Sequence, residues 1–343
     1  MRLTRTYKRL CLAAVASVLM FAIIEFGVRI SGITDFPIYK QDDRLGYIVN
    51  PNQSGMFLRH NRWVFNDRSM GTDLRWNPAL HPNILIIGNS IVAGGNPLDQ
   101  KDKLGPLIQK VMGSGYSIWP IAVGGWTNLN ETAYLERNPD VEASANFFVW
   151  EYMVGGTSKL APWSSDYAFP RNHPVWASWY AFRRYILARF ISLPSELPPT
   201  GPATMKGMET FRSEIGKISV ATGKRTPGLL FLYPQKSQFL AARAGNEWLP
   251  ERAQLEEIAR TLNLKILDVT RSPQWRTDLY RDGETHPTAE GDAILATILA
   301  GSIQQVLSCE AVERKPNDSL YISLAPSALS QGGCRSDSQN LSK

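Results

Sequence analysis

The sequence of 343 residues predicts an α/β protein, a three-layer α/β/α sandwich around a mostly parallel five-stranded sheet, with a transmembrane helix before it. Three observations lead to this prediction. Five short runs are almost continuously apolar, which is typical of parallel strands covered on both faces. Segments with helical periodicity lie between these runs. A long apolar segment follows a basic N-terminus, as in a membrane anchor.

The predicted strands and helices alternate along the middle of the chain. The strands are expected at 83–88, 116–123, 146–152, 228–233 and 264–269. The helices are expected at 103–112, 207–222, 249–262 and 288–307. Thr288 is the expected N-cap of the last helix, because Glu290 and Asp292 fall in its first turn, where negative charge is favourable.

Residues 176–191 also have a helical pattern and are rich in aromatic side chains, with three arginines among them. Two interpretations are open. The helix can face a membrane or a polysaccharide, or it can cover the sheet as a core helix with its arginines exposed. The core helix is the favoured interpretation.

The bulk composition excludes several classes of protein. Hydrophobic residues make up 43% and charged residues 20% of the chain, which excludes a disordered or fibrous protein. The net charge of +6 owes much to Arg2, Arg5, Lys8 and Arg9. Since no dense basic stripe with interleaved aromatics is present, no nucleic-acid partner is expected.

The N-terminal apolar run spans residues 10–24. The helix can extend to Ile30, because Glu25 and Arg29 are spaced to pair one turn apart. No small-residue cleavage site follows closely, so we expect an uncleaved anchor, with a cleaved signal peptide as the alternative. The basic N-terminus should stay in the cytoplasm. The expected location is therefore the bacterial inner membrane, single-pass, with the catalytic domain in the periplasm.

Four regions follow from these patterns: an anchor at 1–31, an extended lead-in with little regular structure at 32–80, a catalytic domain at 81–305 and a C-terminal tail at 306–343. Outside the anchor, which contains Cys11, the cysteines are Cys309 and Cys334. In an oxidising compartment these two are expected to form a disulfide that pins the tail. No cysteine or histidine spacing indicates a metal site, and no cofactor is expected.

A serine lies where an α/β sheet places its chemistry. Ser90 directly follows the first predicted strand in the run Gly88-Asn89-Ser90. Active sites of parallel sheets lie at the carboxyl ends of the strands, and the Ser90 N–H can point at a developing oxyanion. Taken alone the motif is weak, since a serine N-cap in a turn gives the same pattern.

A histidine with nearby acids lies at the other end of the domain. Of the four histidines, His286 follows the last predicted strand and opens a helix, with Asp282 and Glu284 just upstream. A serine nucleophile needs a base, and the base needs an acid that fixes its tautomer. Ser90 with His286 and one of these acids supplies all three groups.

These motifs resemble the SGNH/GDSL hydrolases. Gly88-Asn89-Ser90 followed by Gly94 is similar to their first block, and His286-Pro287 to their last, over residues 83–305. The resemblance implies a flavodoxin-like sheet, Ser90 as nucleophile and His286 as base. Leu45-Gly46-Tyr47 and Pro51-Asn52 are similar to a segment of exported, membrane-anchored members.

The resemblance is incomplete at the oxyanion hole. The second block implies Gly125, with Gly124 in reserve, as an oxyanion donor beside the Ser90 N–H. The third block, with its donor asparagine, is missing, and Trp150-Glu151 in its place is similar to proteins of exopolysaccharide O-acetylation. Asn128 is a candidate substitute. The position of the family's usual acid is a glycine here, so Asp282 is slightly preferred and Glu284 stays open.

The sequence therefore predicts an esterase or acyltransferase that handles O-acyl groups, acetyl above all, on a cell-envelope or secreted polysaccharide. Expected partners are the acylated sugar, the inner membrane, and a membrane acyltransferase or polysaccharide synthase complex. One alternative is a catalytically silent scaffold subunit of a polysaccharide export or modification complex, which the missing third block favours. A lipase acting on membrane lipid is another.

Overall fold

The computed structural model describes residues 5–80, 82–191, 201–220, 225–281, 283–310, 319–322 and 324. The chain begins with a long helix, α1 (Arg5–Ile30). Its stretch Tyr7–Ile30 is long and apolar enough to cross a membrane, a property that signal sequences share. The side chains along this stretch are exposed except for Glu25 and Val28, which are half-buried.

Two small hairpins follow where we expected little regular structure. Strand β1 (Tyr39–Asp42) pairs with β2 (Gly46–Val49), and β3 (Gln53–Phe57) pairs with β4 (Asn61–Phe65), both antiparallel. The expectation of an irregular lead-in is wrong for residues 39–65. Strands of four or five residues leave too short a pattern to detect, yet they bury large side chains against the central sheet.

The central sheet has five strands, all parallel, in the order β6-β5-β7-β8-β9. They are β5 (Asn83–Gly88), β6 (Ser117–Ala122), β7 (Phe147–Tyr152), β8 (Gly228–Leu232) and β9 (Lys265–Asp268). Each agrees with its predicted position to within one residue at either end. Nearly every residue of these strands is buried, as expected for a parallel sheet covered on both faces.

Helices cover both faces of the sheet and complete the predicted three layers. In chain order they are α2 (Ser90–Ala93), α3 (Leu104–Met112), α4 (Asn128–Arg137), α5 (Pro139–Ala143), α6 (Ala177–Ala181), α7 (Met205–Ile218), α8 (Lys236–Arg243), α9 (Arg252–Leu262) and α10 (Ala289–Glu310). Side chains of α3, α8 and α10 pack with Ile84 and Ile86 on one face. Those of α4, α7, α9 and the hairpins pack with Leu85 and Ile87 on the other.

The strand order fixes where a ligand can bind. From β5 the chain moves to one side to form β6 and then crosses back to form β7 on the other side. The connections on either side of β5 therefore run in opposite directions, which opens a crevice at its carboxyl end. Ser90, the first residue of α2, lies directly at that end.

The prediction that residues 176–191 form a core helix is wrong. Helix α6 continues as a π-helical turn (Phe182–Ile186) and a 3-10 turn (Leu187–Arg189), and this unit packs beside α1 rather than on the sheet. Its large side chains are largely exposed. Periodicity indicates an apolar face but not its neighbour, and α4, α7 and α9 already cover that face of the sheet.

The C-terminal region is described in part. Helix α10 runs to Glu310, beyond the expected domain end at 305. Tyr321 forms a parallel bridge with Ile266 of β9, so this part of the tail packs against the edge of the sheet. The expected disulfide between Cys309 and Cys334 lies outside the described part, which does not include residue 334.

Candidate active site

Folding brings Ser90 and His286 into direct contact. The distance between Ser90 Oγ and His286 Nε2 is 3.0 Å, although 196 positions separate the residues in the chain. Ser90 begins α2 at the carboxyl end of β5, and His286 lies in the connection between β9 and α10. Because this distance is within the range of a hydrogen bond, His286 can take the hydroxyl proton of Ser90.

The turn that presents Ser90 is held from below by a neighbouring strand. The Asn89 backbone N–H donates to Glu151 Oε2 at 3.0 Å. Asn89 Oδ1 accepts from the Ile91 N–H at 3.1 Å, so its side chain caps α2. A Cβ at position 88 would lie 2.2 Å from Glu151 Oε2, which explains the glycine there. Asn89 thus fixes the turn that presents Ser90.

A buried polar cluster continues beneath the turn. Burial raises the pKa of Glu151 to about 8 and that of Glu131 to about 7. Glu131 Oε2 accepts from Trp150 Nε1 at 2.6 Å and from Asn128 Nδ2 at 2.8 Å. Asn128 Nδ2 also donates to the Glu151 carbonyl at 2.8 Å. Both amide hydrogens of Asn128 are therefore used inside the protein, and none is left for an oxyanion.

The glycine turn after β6 lies close to Ser90. A Cβ at position 124 would lie 4.0 Å from the Ser90 Cβ. Gly125 has a φ of +79°, a conformation that favours glycine. Gly124 and Gly125 both line the cavity in front of Ser90. Their backbone N–H groups are thus close to the site where an ester carbonyl would react.

The hairpin β1–β2 fastens this glycine turn. The Tyr47 hydroxyl donates to the Gly124 carbonyl at 2.8 Å, and Trp126 Nε1 donates to the Tyr47 carbonyl at 2.9 Å. Sequence reasoning assigned no role to Tyr47 in the site. The available signal was its place in Leu45-Gly46-Tyr47, a segment associated with anchored relatives rather than with the oxyanion hole.

Backbone contacts hold the connection that contains His286. The Tyr233 hydroxyl donates to the Thr285 carbonyl at 2.8 Å, and the Lys236 N–H donates to the Glu284 carbonyl at 2.6 Å. The Glu284 side chain is exposed. Asp282, the slightly preferred acid, lies outside the described residues. The structure therefore gives the position of His286 without assigning its acid.

Two cavities meet at Ser90. The smaller has a volume of about 240 Å³ and is walled mainly by apolar side chains, among them Val49 and Phe65. The larger has a volume of about 490 Å³ and contains aromatic rings and polar groups. Both are bordered by the same six residues: Tyr39, Ser90, Gly95, Asn96, Gly124 and His286.

The charged groups around these cavities are mostly cationic. Lys103 and Arg281 border the smaller cavity, and Lys159 and Arg184 the larger one. Burial lowers the pKa of Lys103 to about 8. Glu131 is the one carboxylate among the described lining residues. The site therefore presents positive charge toward a substrate.

Asn96 is a polar residue that the sequence analysis did not single out. It borders both cavities, and within the described residues its side-chain amide makes no hydrogen bond. The signal was weak, since an asparagine after Gly94-Gly95 is an ordinary loop residue. Unlike those of Asn128, its amide hydrogens are not used within the described residues.

Known proteins provide the following comparisons. No family model and no curated protein matches the chain. Solved structures that match include a carbohydrate acetylesterase family member from Sinorhizobium meliloti, at 16% identity and a TM-score of 0.39, covering 66% of this chain and 98% of that chain. The psychrotrophic esterase EstA from Pseudoalteromonas sp. matches at 13% identity and a TM-score of 0.39, with the same two coverages. A lipase/acylhydrolase from Enterococcus faecalis matches at 14% identity and a TM-score of 0.39, covering 64% and 94%.

Proposed function

We propose that this chain is a membrane-anchored SGNH-type serine ester hydrolase or O-acyltransferase. Its substrates would be O-acyl groups, acetyl above all, on a cell-envelope or secreted polysaccharide. The observation that carries the proposal is the 3.0 Å contact between Ser90 Oγ and His286 Nε2 at the crevice of the sheet. In the proposed location, α1 crosses the bacterial inner membrane and the catalytic domain lies in the periplasm.

The first half of the reaction forms an acyl-enzyme. His286 Nε2 accepts the Ser90 hydroxyl proton while Ser90 Oγ attacks the ester carbonyl carbon. The carbonyl oxygen becomes an oxyanion, which the N–H groups of Ser90 and Gly125 receive. When the intermediate collapses, the ester bond breaks, the alcohol leaves with the proton from His286, and the acyl group stays on Ser90.

The second half returns the enzyme to its starting state. Water or a sugar hydroxyl gives its proton to His286 and attacks the acyl carbon. Collapse of the second intermediate returns the proton to Ser90 Oγ and releases the acid or the acylated sugar. Hydrolysis and transfer use the same residues and differ in whether water is excluded from the acyl-enzyme.

Two assignments complete the proposed site. Asp282 is the preferred acid to fix the tautomer of His286, with Glu284 as the alternative. Asn96 is proposed as the side-chain donor that replaces the missing third-block asparagine, because the residue borders both cavities and its amide is not used within the described protein.

The two cavities support a short acyl group and a polar alcohol. The smaller, mostly apolar cavity suits an acyl group of a few carbons. The larger one is lined by edges of the mostly buried Trp126 and Phe169, and also by Lys159 and Arg184. This combination suits a sugar, and the positive charge suits a polysaccharide that carries acidic groups. A membrane acyltransferase or polysaccharide synthase complex is the proposed partner.

The proposal is tested by trapping the acyl group. The full chain in detergent micelles is incubated with an activated acetyl ester and examined by mass spectrometry, beside a Ser90→Ala variant. We expect an acetyl increment on Ser90 that is absent from the variant. Transfer to an added oligosaccharide would identify a transferase, and loss to water an esterase. Equal turnover of the ester by both proteins would contradict the proposal and favour the silent scaffold.

A further inference from the structure

Residues 175–191, here called the aromatic segment, are attached to α1 by a carboxylate. Glu25 of α1 accepts from the backbone N–H groups of Ala177 and Ser178, each at 2.8 Å, and from the Ser178 hydroxyl at 2.6 Å. Arg29 pairs with the same carboxylate at 2.8 Å. Glu25 thereby caps α6 and has donors on both oxygens. A carboxylate close to hydrocarbon requires such complete pairing.

One face of the aromatic segment is apolar and open. Large side chains recur every three or four positions, which places them along one side of the helical unit. They are Trp176, Trp179, Phe182, Ile186 and Phe190, and they are between 41% and 78% exposed. An exposed apolar surface of this size marks a site of interaction with a protein or a membrane.

The opposite face is seated on the domain. Tyr180 packs against the buried Phe36, with ring centroids 5.1 Å apart. The Arg184 guanidinium lies over the Tyr167 ring at 4.8 Å and also lines the larger cavity that contains Ser90. The segment thus directs Tyr180 and Arg184 toward the protein and the catalytic cleft, with its apolar face outward. This is the reverse of an ordinary surface helix.

The open face lies at about the same height as the outer end of the apolar part of α1. The apolar run at residues 10–24 ends directly before Glu25, so Glu25 lies at the outer end of the apolar part of α1. The Trp176 ring contacts Phe21 of α1, with centroids 5.0 Å apart. Phe21 lies one turn, about 6 Å, deeper than Glu25. Interfacial helices bury their apolar face to about 5–10 Å, which agrees with this depth.

The composition of the segment favours a lipid surface. Residues 175–191 contain two tryptophans, three arginines and no acidic residue. Tryptophan is enriched at membrane interfaces, and arginine is attracted by anionic headgroups. The segment also adjoins α1, since α6 contacts α1 and the apolar side chains of α1 are exposed.

We propose that the aromatic segment lies in the outer headgroup layer of the same bilayer that α1 crosses, and that it holds the mouth of the catalytic cleft at the membrane surface. This inference rests on the proposed retention of α1 as a membrane span. It goes beyond anchoring, because a single helix followed by a flexible linker would leave the domain free to tumble. Through Arg184 the lipid-facing unit is part of the cleft wall, so the ester is received at the bilayer surface.

The test measures tryptophan depth in the full chain. The protein is reconstituted into phosphatidylethanolamine–phosphatidylglycerol vesicles that carry bromine at shallow or deep acyl positions. Of the ten tryptophans, seven are buried and Trp163 is half-buried. Shallow bromines should therefore quench mainly Trp176 and Trp179. A W176F/W179F variant, which keeps aromatic rings at both positions, should lose most of this quenching, whereas W163F should retain it.

The outcomes distinguish the placement of the aromatic segment in the headgroup layer from the proposed anchor and the proposed function. Equal quenching of the wild type and W176F/W179F, or no quenching by shallow bromines, would overturn this placement. Coverage of the face by a second copy or by another protein would also overturn it. Alkaline extraction of the same vesicles tests α1 on its own, and release of the chain would overturn anchor and placement together. Since no substrate is involved, an inactive catalytic site would not change the quenching.

Discussion

The backbone N–H of Asn89 donates to the buried carboxyl group of Glu151 at 3.0 Å, and this contact links the nucleophile turn to the next strand of the sheet. Glu151 lies where a third-block asparagine was sought, but its side chain points beneath the turn rather than into the cleft. The Trp150-Glu151 pair therefore supports Ser90 from below: Trp150 donates to Glu131, and Glu151 accepts from Asn89.

This arrangement predicts how stability depends on pH. Burial raises the pKa of Glu151 to about 8, against 4.5 for an ordinary glutamate, so the folded protein keeps a proton that the unfolded chain loses. Stability should consequently fall as pH rises from about 4.5 to 8, by up to about 1.4 kcal/mol per pH unit for this group. Glu151→Gln keeps an acceptor without a titratable proton, so its free energy of unfolding should fall less steeply.

Urea unfolding of both proteins at pH 5.5, 6.5, 7.5 and 8.5 measures this difference. Glu131, whose pKa burial raises to about 7, remains in the variant and should still give a fall up to that pH. The two curves should separate steadily between pH 5.5 and 7.5 and become parallel above about pH 8. Parallel curves over the whole range would show that Glu151 is ionised in the folded protein.

Asn96 and Asn128 should respond differently to alanine. Asn96 borders both cavities, so Asn96→Ala should lower kcat on the order of 10²-fold, as expected for the loss of an oxyanion donor. Asn128 donates to Glu131 and to the Glu151 carbonyl, so Asn128→Ala should cost about 1–3 kcal/mol of stability. Aryl acetate kinetics and thermal unfolding of both variants compare the effects. A rise in KM with unchanged kcat for Asn96→Ala would assign it to ground-state binding instead.

The acid that orients His286 can be identified by a pair of isosteric changes. Loss of the carboxylate that fixes the histidine tautomer lowers kcat by about 10⁴-fold in a serine triad. We expect Asp282→Asn to show an effect of this order and Glu284→Gln, whose side chain is exposed, to stay near wild type. Kinetics at pH 7 and 9 would check both variants. The reverse ranking would assign the role to Glu284.

Much of the fold could be predicted because each central strand is a continuous apolar run bounded by polar residues, as in 83–88. The same signal located Ser90, since a serine directly after such a strand lies at the carboxyl end of the sheet. The hairpins carry four- or five-residue strands with no such run, so Tyr47 and its contact with the glycine turn were not found. For Trp176 and Trp179, periodicity predicted an apolar face but not what it packs against. The bond between Ser178 and Glu25, which attaches this segment to α1, joins residues about 150 positions apart in the chain.

The contact between Tyr47 and Gly124 gives a final prediction about the oxyanion hole. Tyr47→Phe removes the hydroxyl that holds the Gly124 carbonyl at 2.8 Å but keeps the buried ring. The glycine turn should then lose its fixed orientation, and kcat should fall about tenfold, since a loss of roughly 1.4 kcal/mol in transition-state stabilisation has that effect. Tyr134→Phe is the matched control, because its hydroxyl also donates to a backbone carbonyl, that of Arg68 at 2.7 Å, and the buried Tyr134 lines neither cavity. Both variants should lose about 1 kcal/mol of stability. Only Tyr47→Phe should lower kcat, and an equal kcat for the two variants would show that the glycine turn keeps its orientation without the hydroxyl.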